Sequence, residues 1–348
     1  MKLWFERGAW ASKYAKKAAA ELAPEQVRRI AVIRHAALGD MVLVRPFLIE
    51  ARRFFPNAEI VLSVVSNYTY GAPDDLVDSV HVLHGNDKKN VSAWQRLANA
   101  RALGTVDILF DLADTTRSRY LTLVTSAKLK IGFPYRWYLR NLLFDAAVFR
   151  SDFTFEAEVM LDTLKLLGAN PAVPLRFNWS VPTREQHGET RSEQILYFPF
   201  ASVQSKCWPR ERFAALIDLM ATEFKQYTHV ILGGISDNED PTIFGDLATK
   251  HTNVTLQQAM NLDATIHLLM DSKLVVANDT GVRNLAIAIN TPTLGIFFST
   301  VPHRYWPRWG GLHDSVFVAD GTAPSVEDVA SRAKTLLNSV SRSMGFAR

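Results

Sequence analysis

Three short segments carry residue types suited to acid–base and anion chemistry. The first is Arg34-His35-Ala36-Ala37-Leu38-Gly39-Asp40. A glycine followed by an acid at a helix start has two readings. Gly39 can serve the turn with Asp40 as helix cap, or Asp40 can be a general base placed to take a proton from a hydroxyl. The second is Ser202-Val203-Gln204-Ser205-Lys206-Cys207-Trp208-Pro209. A hydroxyl, a lysine and a following helix start can seat a diphosphate, with Lys206 as a point charge and Ser202 as a donor. A solvated surface lysine is the competing reading. The third is Asn278-Asp279-Thr280-Gly281-Val282-Arg283-Asn284. Acid, hydroxyl and glycine at a helix N-terminus favour an anion there, and an ordinary Asp/Thr cap is the alternative. An aspartic-protease reading of Asp-Thr-Gly fails, because that chemistry needs an all-β fold and a second such loop.

Each segment sits where a strand should run into a helix. Residues 30–33 form a short apolar strand, and a helical pattern runs from Asp40 to near Pro56. Residues 59–65, 79–83 and 106–110 read as further strands, with a helix over 91–103. Residues 117–127 read as helix, 130–133 as strand, and 155–168 as a helix closed by Gly168. Pro171, Pro174 and Pro182, with the polar stretch 183–193, mark a connection between domains. A second alternation follows: strand 195–198, helix 210–224 with Pro209 near its first turn, and strand 229–232 into Gly233-Gly234. Helix 263–270, strand 274–277, helix 280–289, strand 293–297 and a final helix 325–340 complete it. Alternation of this kind implies two doubly wound α/β domains with parallel sheets, whose ligands bind at the strand ends. The expected division is a basic arm over 1–29, a first domain over 30–180 and a second over 181–348. No repeat at a fixed period is present.

Composition narrows the class. The chain has 348 residues, 48% of them hydrophobic and 21% charged, enough for two cores. Its net charge is +4, and residues 1–29 hold all of it: seven Lys/Arg against three Glu, with 32 against 32 in the rest. The charge therefore belongs to the arm and not to a nucleic-acid-binding surface. That arm mixes Leu3, Trp4, Phe5, Trp10 and Tyr14 with its lysines. Such a helix suits a lipid headgroup layer, or it packs on the domain as a solvated leader. It lacks the apolar core of a signal peptide, and no stretch is apolar enough to span a bilayer. The single cysteine, Cys207, cannot form an internal disulfide, which fits a reducing cytosol.

In this order and spacing the segments resemble glycosyltransferase family 9, whose best-known members are the ADP-heptose:lipopolysaccharide heptosyltransferases. The resemblance runs from about Ile30 to Leu337. The opening is similar to strand–R-x-x-x-x-G-D–helix, continued by Phe55-Pro56-Asn57-Ala58-Glu59-Ile60. Lys206-Cys207-Trp208-Pro209 resembles K-x-W-P. Gly233-Gly234 followed by Asp237 and Glu239 is like the family's nucleoside-holding loop. Asp279 to Ala288, then Thr291-Pro292-Thr293, resembles D-T-G-x-x-H-L-A-A-A with T-P-T.

The resemblance implies a GT-B fold, two Rossmann-like domains facing across a cleft, and an inverting transfer from a nucleotide sugar, heptose from ADP-heptose being the first candidate. Asp40 would be the base. Ser202 and Lys206 would hold the diphosphate, and Asp279, Thr280 and Gly281 would line the phosphate and sugar pocket. Asp237 or Glu239 would contact the ribose. No metal and no cofactor are expected, because Lys206 and backbone N–H groups can stabilise the leaving diphosphate. The family's histidine after D-T-G is Asn284 here, which hydrogen-bonds but carries no charge; a different donor sugar or help from Arg283 would follow. His35 and Ala37 replace family hydroxyls in the first loop. A glycolipid acceptor such as the lipopolysaccharide inner core is implied, with Arg117, Arg119, Arg136 and Arg140 as candidate contacts for its acidic groups. Solvated helix arginines are the alternative. Trp306 and Trp309 could stack on a ring or close the domain. The expected place is the cytoplasm, with peripheral contact at the inner face of the cytoplasmic membrane. Two rivals remain: a sugar-nucleotide-binding scaffold that has lost catalysis, and a dinucleotide oxidoreductase. The latter lacks G-x-G-x-x-G after the first strand.

Overall fold

The computed structural model describes residues 9–133, 141–179, 192–309 and 311–345. The chain divides into two compact units, Met1–Asn178 and Trp179–Arg348. The first is built on seven strands: β1 (Trp10–Ala11), β2 (Arg29–Ile33), β3 (Glu59–Val65), β4 (Ser79–Leu83), β5 (Val106–Asp111), β6 (Ala127–Gly132) and β7 (Ala146–Ala147). Their order is β1-β7-β6-β5-β2-β3-β4. Every pairing is parallel except β1 with β7. Helices α1 (Lys13–Ala20), α2 (Leu38–Leu43), α3 (Arg45–Phe54), α4 (Ala93–Arg101), α5 (Thr116–Val124) and α6 (Glu156–Lys165) accompany them. Central strands covered on both faces need continuous apolar runs, and Ile30, Ala31, Val32 and Ile33 are wholly buried.

The strand order fixes where a ligand can enter. The chain winds outward from β2 through β3 to β4, then returns to place β5 on the other side of β2. The loops leaving β2 and β5 therefore part in opposite directions and leave a crevice between them. The second unit repeats the device. Strands β8 (Gln194–Phe198), β9 (Thr228–Leu232), β10 (Val254–Gln257), β11 (Leu274–Asn278), β12 (Thr293–Ile296) and β13 (His313–Val316) are ordered β10-β9-β8-β11-β12-β13. All pair in parallel. Here the winding reverses between β8 and β11. Helices α7 (Arg210–Glu223), α8 (Gly245–Lys250), α9 (Leu262–Asp271), α10 (Gly281–Ala288) and α11 (Val326–Gly345) complete this unit.

Several sequence expectations need correction. The helical run after Asp40 is two helices. Pro46 stands at the second position of α3, where its missing N–H is no loss, and α2 ends just before it. Ala37, not Asp40, occupies the cap of α2, so Asp40 is the third helical residue and the capping reading fails. Strands β1, β7, β10 and β13 had no counterpart in the sequence reading.

Residues of the basic arm join the first unit. Trp10 and Ala11 pair with Ala147 and Ala146. Ser12 caps α1 by accepting from Ala15 N, and the Tyr14 hydroxyl donates to Lys128 O at 2.8 Å. Lys13, Lys16 and Lys17 stay exposed. At the opposite edge, Asn99 closes β4. Its Nδ2 donates to Val82 O at 3.0 Å and its Oδ1 accepts from His84 N at 2.9 Å.

The core of the first unit centres on Phe110, fully buried, with Phe47 edge-on at 5.2 Å and Phe55 at 6.5 Å. Phe110→Ala should cost about 3–5 kcal/mol, read as a lowered midpoint in urea unfolding. A loss below about 1 kcal/mol would mean that the aromatic cluster does not carry this core.

Candidate active site

At the second unit's switch point, two loops meet. Asn278, the last residue of β11, fixes them. Its Oδ1 accepts from Trp208 N at 3.1 Å, and its Nδ2 donates to Pro199 O at 2.9 Å. Trp208 is buried to 1% exposure, donates its indole N–H to Pro324 O at 3.0 Å and packs edge-on to Phe213. The loop between, with its 3-10 turn at Gln204–Lys206, is thereby pinned at both ends. Neither residue drew attention as functional in the sequence. Trp208 stood out only within the K-x-W-P resemblance, and Asn278 only as the polar residue closing the apolar strand Leu274–Asn278.

The pinned loop brings Lys206 to Asp279. Lys206 Nζ lies 2.6 Å from Asp279 Oδ2, and the Thr300 hydroxyl donates to the same oxygen at 2.9 Å. Lys206 also stands 5.6 Å from the centre of the Tyr305 ring. Asp279 is 7% exposed and Lys206 27% exposed, so the lysine reaches solvent while its carboxylate partner does not. Thr280 precedes α10 but makes no side-chain cap, and its buried hydroxyl has no hydrogen-bond partner among the described residues. Gly281 opens α10. Ser202 is exposed on the Lys206 loop.

Arg283 and Asn284 both turn inward. Arg283 is fully buried, donates Nη1 to Tyr305 O at 2.6 Å and lies 5.1 Å over the Phe297 ring. Gly295 makes its room: a Cβ there would sit 2.4 Å from Arg283 Nε. Burial lowers the Arg283 pKa to about 10, while Asp279 and Asp314 oppose that shift. It remains a cation at neutral pH. Asn284 is 4% exposed. Trp306 donates to His313 O at 2.8 Å and stacks on His303, a fit to domain closure.

Beside this pair lies a cavity of about 280 Å³, lined by Phe200, Gln204, Trp208, Asn238, Glu239 and Phe244 among others. Glu239 is 9% exposed and accepts from Ser236 N at 3.3 Å. Gly234 permits this, since a Cβ there would meet Glu239 Oε2 at 2.0 Å. Asp237 is exposed and does not line the cavity.

The first unit's switch point holds a charge network. Arg34 is 2% exposed. Its Nη2 donates to Asp40 Oδ1 at 2.8 Å, both terminal nitrogens reach Glu156 Oε1 at 3.3 Å, and Nη1 donates to Leu112 O at 2.5 Å. Arg150 closes on Glu156 at 2.5 Å. Asp40 keeps 33% of its side chain exposed. Sequence spacing gave no hint of Glu156, which lies 122 residues from Arg34.

His35 points the other way. It is 7% exposed, and burial lowers its pKa to about 3, helped by His81 and Arg117. It is neutral, at 3.3 Å from the Ser63 hydroxyl, which in turn meets His81 Nδ1 at 3.0 Å. Arg119 pairs with Asp114 at 3.2 Å and is 16% exposed. Arg117 lies half-buried, bonded to Asn86 Oδ1. Arg136 and Arg140 lie outside the described residues.

Asp114 has φ +51, and burial pushes its carboxyl from 3.8 up to about 6 despite Arg119. Between about pH 4 and 6 the folded state keeps a proton that the unfolded chain has lost, so this residue's contribution to stability falls as pH rises through that window. Asparagine tolerates the same backbone conformation. In urea unfolding at pH 4, 5, 6 and 7, Asp114→Asn should gain on the native chain up to about pH 6 and then hold level. A difference independent of pH would contradict the shift.

Residues 96–335 match the sequence profile of glycosyltransferase family 9 (heptosyltransferase). The chain is 23% identical over 324 residues to lipopolysaccharide heptosyltransferase 3 of Escherichia coli, covering 86% of this chain and 92% of that one. Among solved structures it is similar to the family 9 glycosyl transferase of Veillonella parvula, with TM-score 0.67, 21% identity and coverage of 91% and 99%. It is also similar to E. coli heptosyltransferase WaaC with ADP-2-deoxy-2-fluoro heptose, with TM-score 0.65, 18% identity and coverage of 88% and 98%. The two parallel-sheet α/β units are those of the GT-B fold.

Proposed function

The chain belongs to glycosyltransferase family 9, and from that premise we propose that it moves heptose from ADP-heptose onto a lipopolysaccharide core or related glycan, inverting the anomeric centre without a metal ion. The observation that carries the reading is the meeting of Lys206 and Asp279 beside the unpartnered Thr280 hydroxyl at the start of α10. A partly exposed ammonium, a hydroxyl and free helix N–H groups suit a diphosphate. Asp279, itself held by the Thr300 hydroxyl, keeps the lysine in place until the donor arrives. Ser202 adds a donor from the same loop. Glu239, facing the cavity of about 280 Å³, is better placed than Asp237 to receive ribose hydroxyls. Asn284 lies in the same helix and supplies no charge; the buried Arg283 supplies it instead.

In the transfer step, Asp40 takes the proton of an acceptor hydroxyl. The oxygen attacks the anomeric carbon while the bond to the diphosphate breaks, and the leaving charge is met by Lys206 and the α10 N–H groups. Arg34 orients Asp40 and is itself held by Glu156 and Leu112 O. The exposed Lys13, Tyr14, Lys16 and Lys17 on α1 suit peripheral contact with an anionic membrane surface on the cytoplasmic side. No described helix is long and apolar enough to cross a membrane.

Asp40→Ala should lower kcat by about 100- to 10,000-fold with the dissociation constant for ADP-heptose little changed, measured by calorimetry beside a transfer assay. Arg34 keeps its other two partners in that variant, so the fold should hold. Near-normal turnover would remove Asp40 as the base. ADP-heptose binding without any transfer by the native chain would instead describe a sugar-nucleotide-binding scaffold. Lys206→Ala should weaken donor binding by about tenfold or more, and activity should persist in EDTA.

A further inference from the structure

Two residues of the first sheet break its apolar pattern. Ser63 is the one polar side chain among the buried residues of β3, and His81 stands beside it in register on β4. Side chains in register on neighbouring strands share a face. Ile33, the last residue of β2, pairs with Ser63. His35 follows two residues on, which returns its side chain to that face. The polar atoms form one chain. His35 Nε2 lies 3.3 Å from Ser63 Oγ, Ser63 Oγ lies 3.0 Å from His81 Nδ1, and His81 Nε2 lies 2.8 Å from Asn99 O in α4.

This chain has one direction. A carbonyl oxygen only accepts, so His81 Nε2 carries that ring's proton. Burial lowers the pKa of both imidazoles, and each holds a single proton. His81 Nδ1 is therefore bare and accepts from the Ser63 hydroxyl. Ser63 in turn accepts from His35 Nε2. Both tautomers are fixed, and His35 takes no part in proton transfer. What it can do is hold the backbone that bears it. The four residues between His35 and Asp40 are Ala36, Ala37, Leu38 and Gly39, whose side chains contain no polar atom. Polar side-chain anchorage of the loop thus falls to Arg34 and His35, which pull in opposite directions. Arg34 reaches Leu112 O and Glu156, and His35 reaches β3 and β4. The main chain adds one tie on the His35 side, Arg34 N donating to Ser63 O at 2.9 Å.

We propose that His35 is a positioning residue: through Ser63 and His81 it fixes the loop ahead of α2, and with it the place of the Asp40 carboxylate. The role of Asp40 as base rests on the transfer reading above; the anchorage does not. A reacting group displaced by about 1 Å can cost on the order of 100-fold in rate, so a staple of this kind acts on turnover without touching substrate.

Hydrogen–deuterium exchange of the full-length protein, read by mass spectrometry, tests the anchorage. In His35→Leu, amides over residues 36–44 should exchange about tenfold or more faster than in the native chain, with those of α3 unmoved. His35→Gln, whose amide nitrogen can still donate to Ser63, should stay close to native. Native exchange over 36–44 in His35→Leu would overturn the proposal. If α3 also loosens in that variant, Ser63→Ala decides in its place, since it cuts the same chain by removing one atom. With ADP-heptose and a glycolipid acceptor, His35→Leu should lower kcat about tenfold or more with the donor KM unmoved, and His35→Gln should recover most of the loss. The effects of His35→Leu and Ser63→Ala should not multiply when combined, because both break one chain. A native kcat in His35→Leu, or no recovery in His35→Gln, would reduce the chain to a packing feature. If the native protein transfers nothing, the reading of Asp40 fails, and the exchange rates still decide whether His35 holds the loop.

Discussion

One carboxylate, Asp279, orders the loops at the strand ends of the second unit. It sits at the reversal of winding between β8 and β11, where no strand continues and backbone loops part. A carboxylate buried to 7% exposure must be neutralised locally, because an isolated charge in such a place is far too costly. Lys206 meets that need from one loop and Thr300 from another, with Arg283 beneath as a second positive neighbour. Three segments distant in sequence are thus held in register by one charge. The pinning by Asn278 and Trp208 supplies the rigidity that this requires.

The first unit solves the mirror problem. There the buried ion is a cation, Arg34, and its neutralisation falls to the buried Glu156 at the start of α6 and to the partly exposed Asp40. Glu156 carries the burial, so Asp40 retains a face toward solvent. A carboxylate that is oriented by one bond yet partly open is what a proton acceptor needs. Arg150 also closes on Glu156, so two guanidinium groups face two carboxylates in this network.

The sequence displayed the switch-point loops well. A buried strand leading into a glycine or hydroxyl residue and a helix start leaves a linear pattern, and Arg34 to Asp40, Ser202 to Pro209 and Asn278 to Asn284 all carry it. The partners did not show, because Glu156, Thr300 and Tyr305 lie far along the chain and act only after folding. Asp40 looked like a cap because the sequence cannot distinguish a first-turn acid from the residue before the turn; the backbone of Ala37 decides it. The missed strands were short or marginal. β1 and β7 have two residues each, and β10 has one buried residue in four. Their pairing is set by neighbours and not by their own periodicity.

The Asn99 amide on the last strand of the first sheet has a consequence for life at high concentration. Val80 and Val82 leave that rim apolar and open, the composition that invites another chain to add a rung. By answering one outward carbonyl and one outward N–H itself, a single side chain imitates part of the missing neighbour and shortens the template. The sheet ends there, with part of its edge closed against the pairing of a further strand.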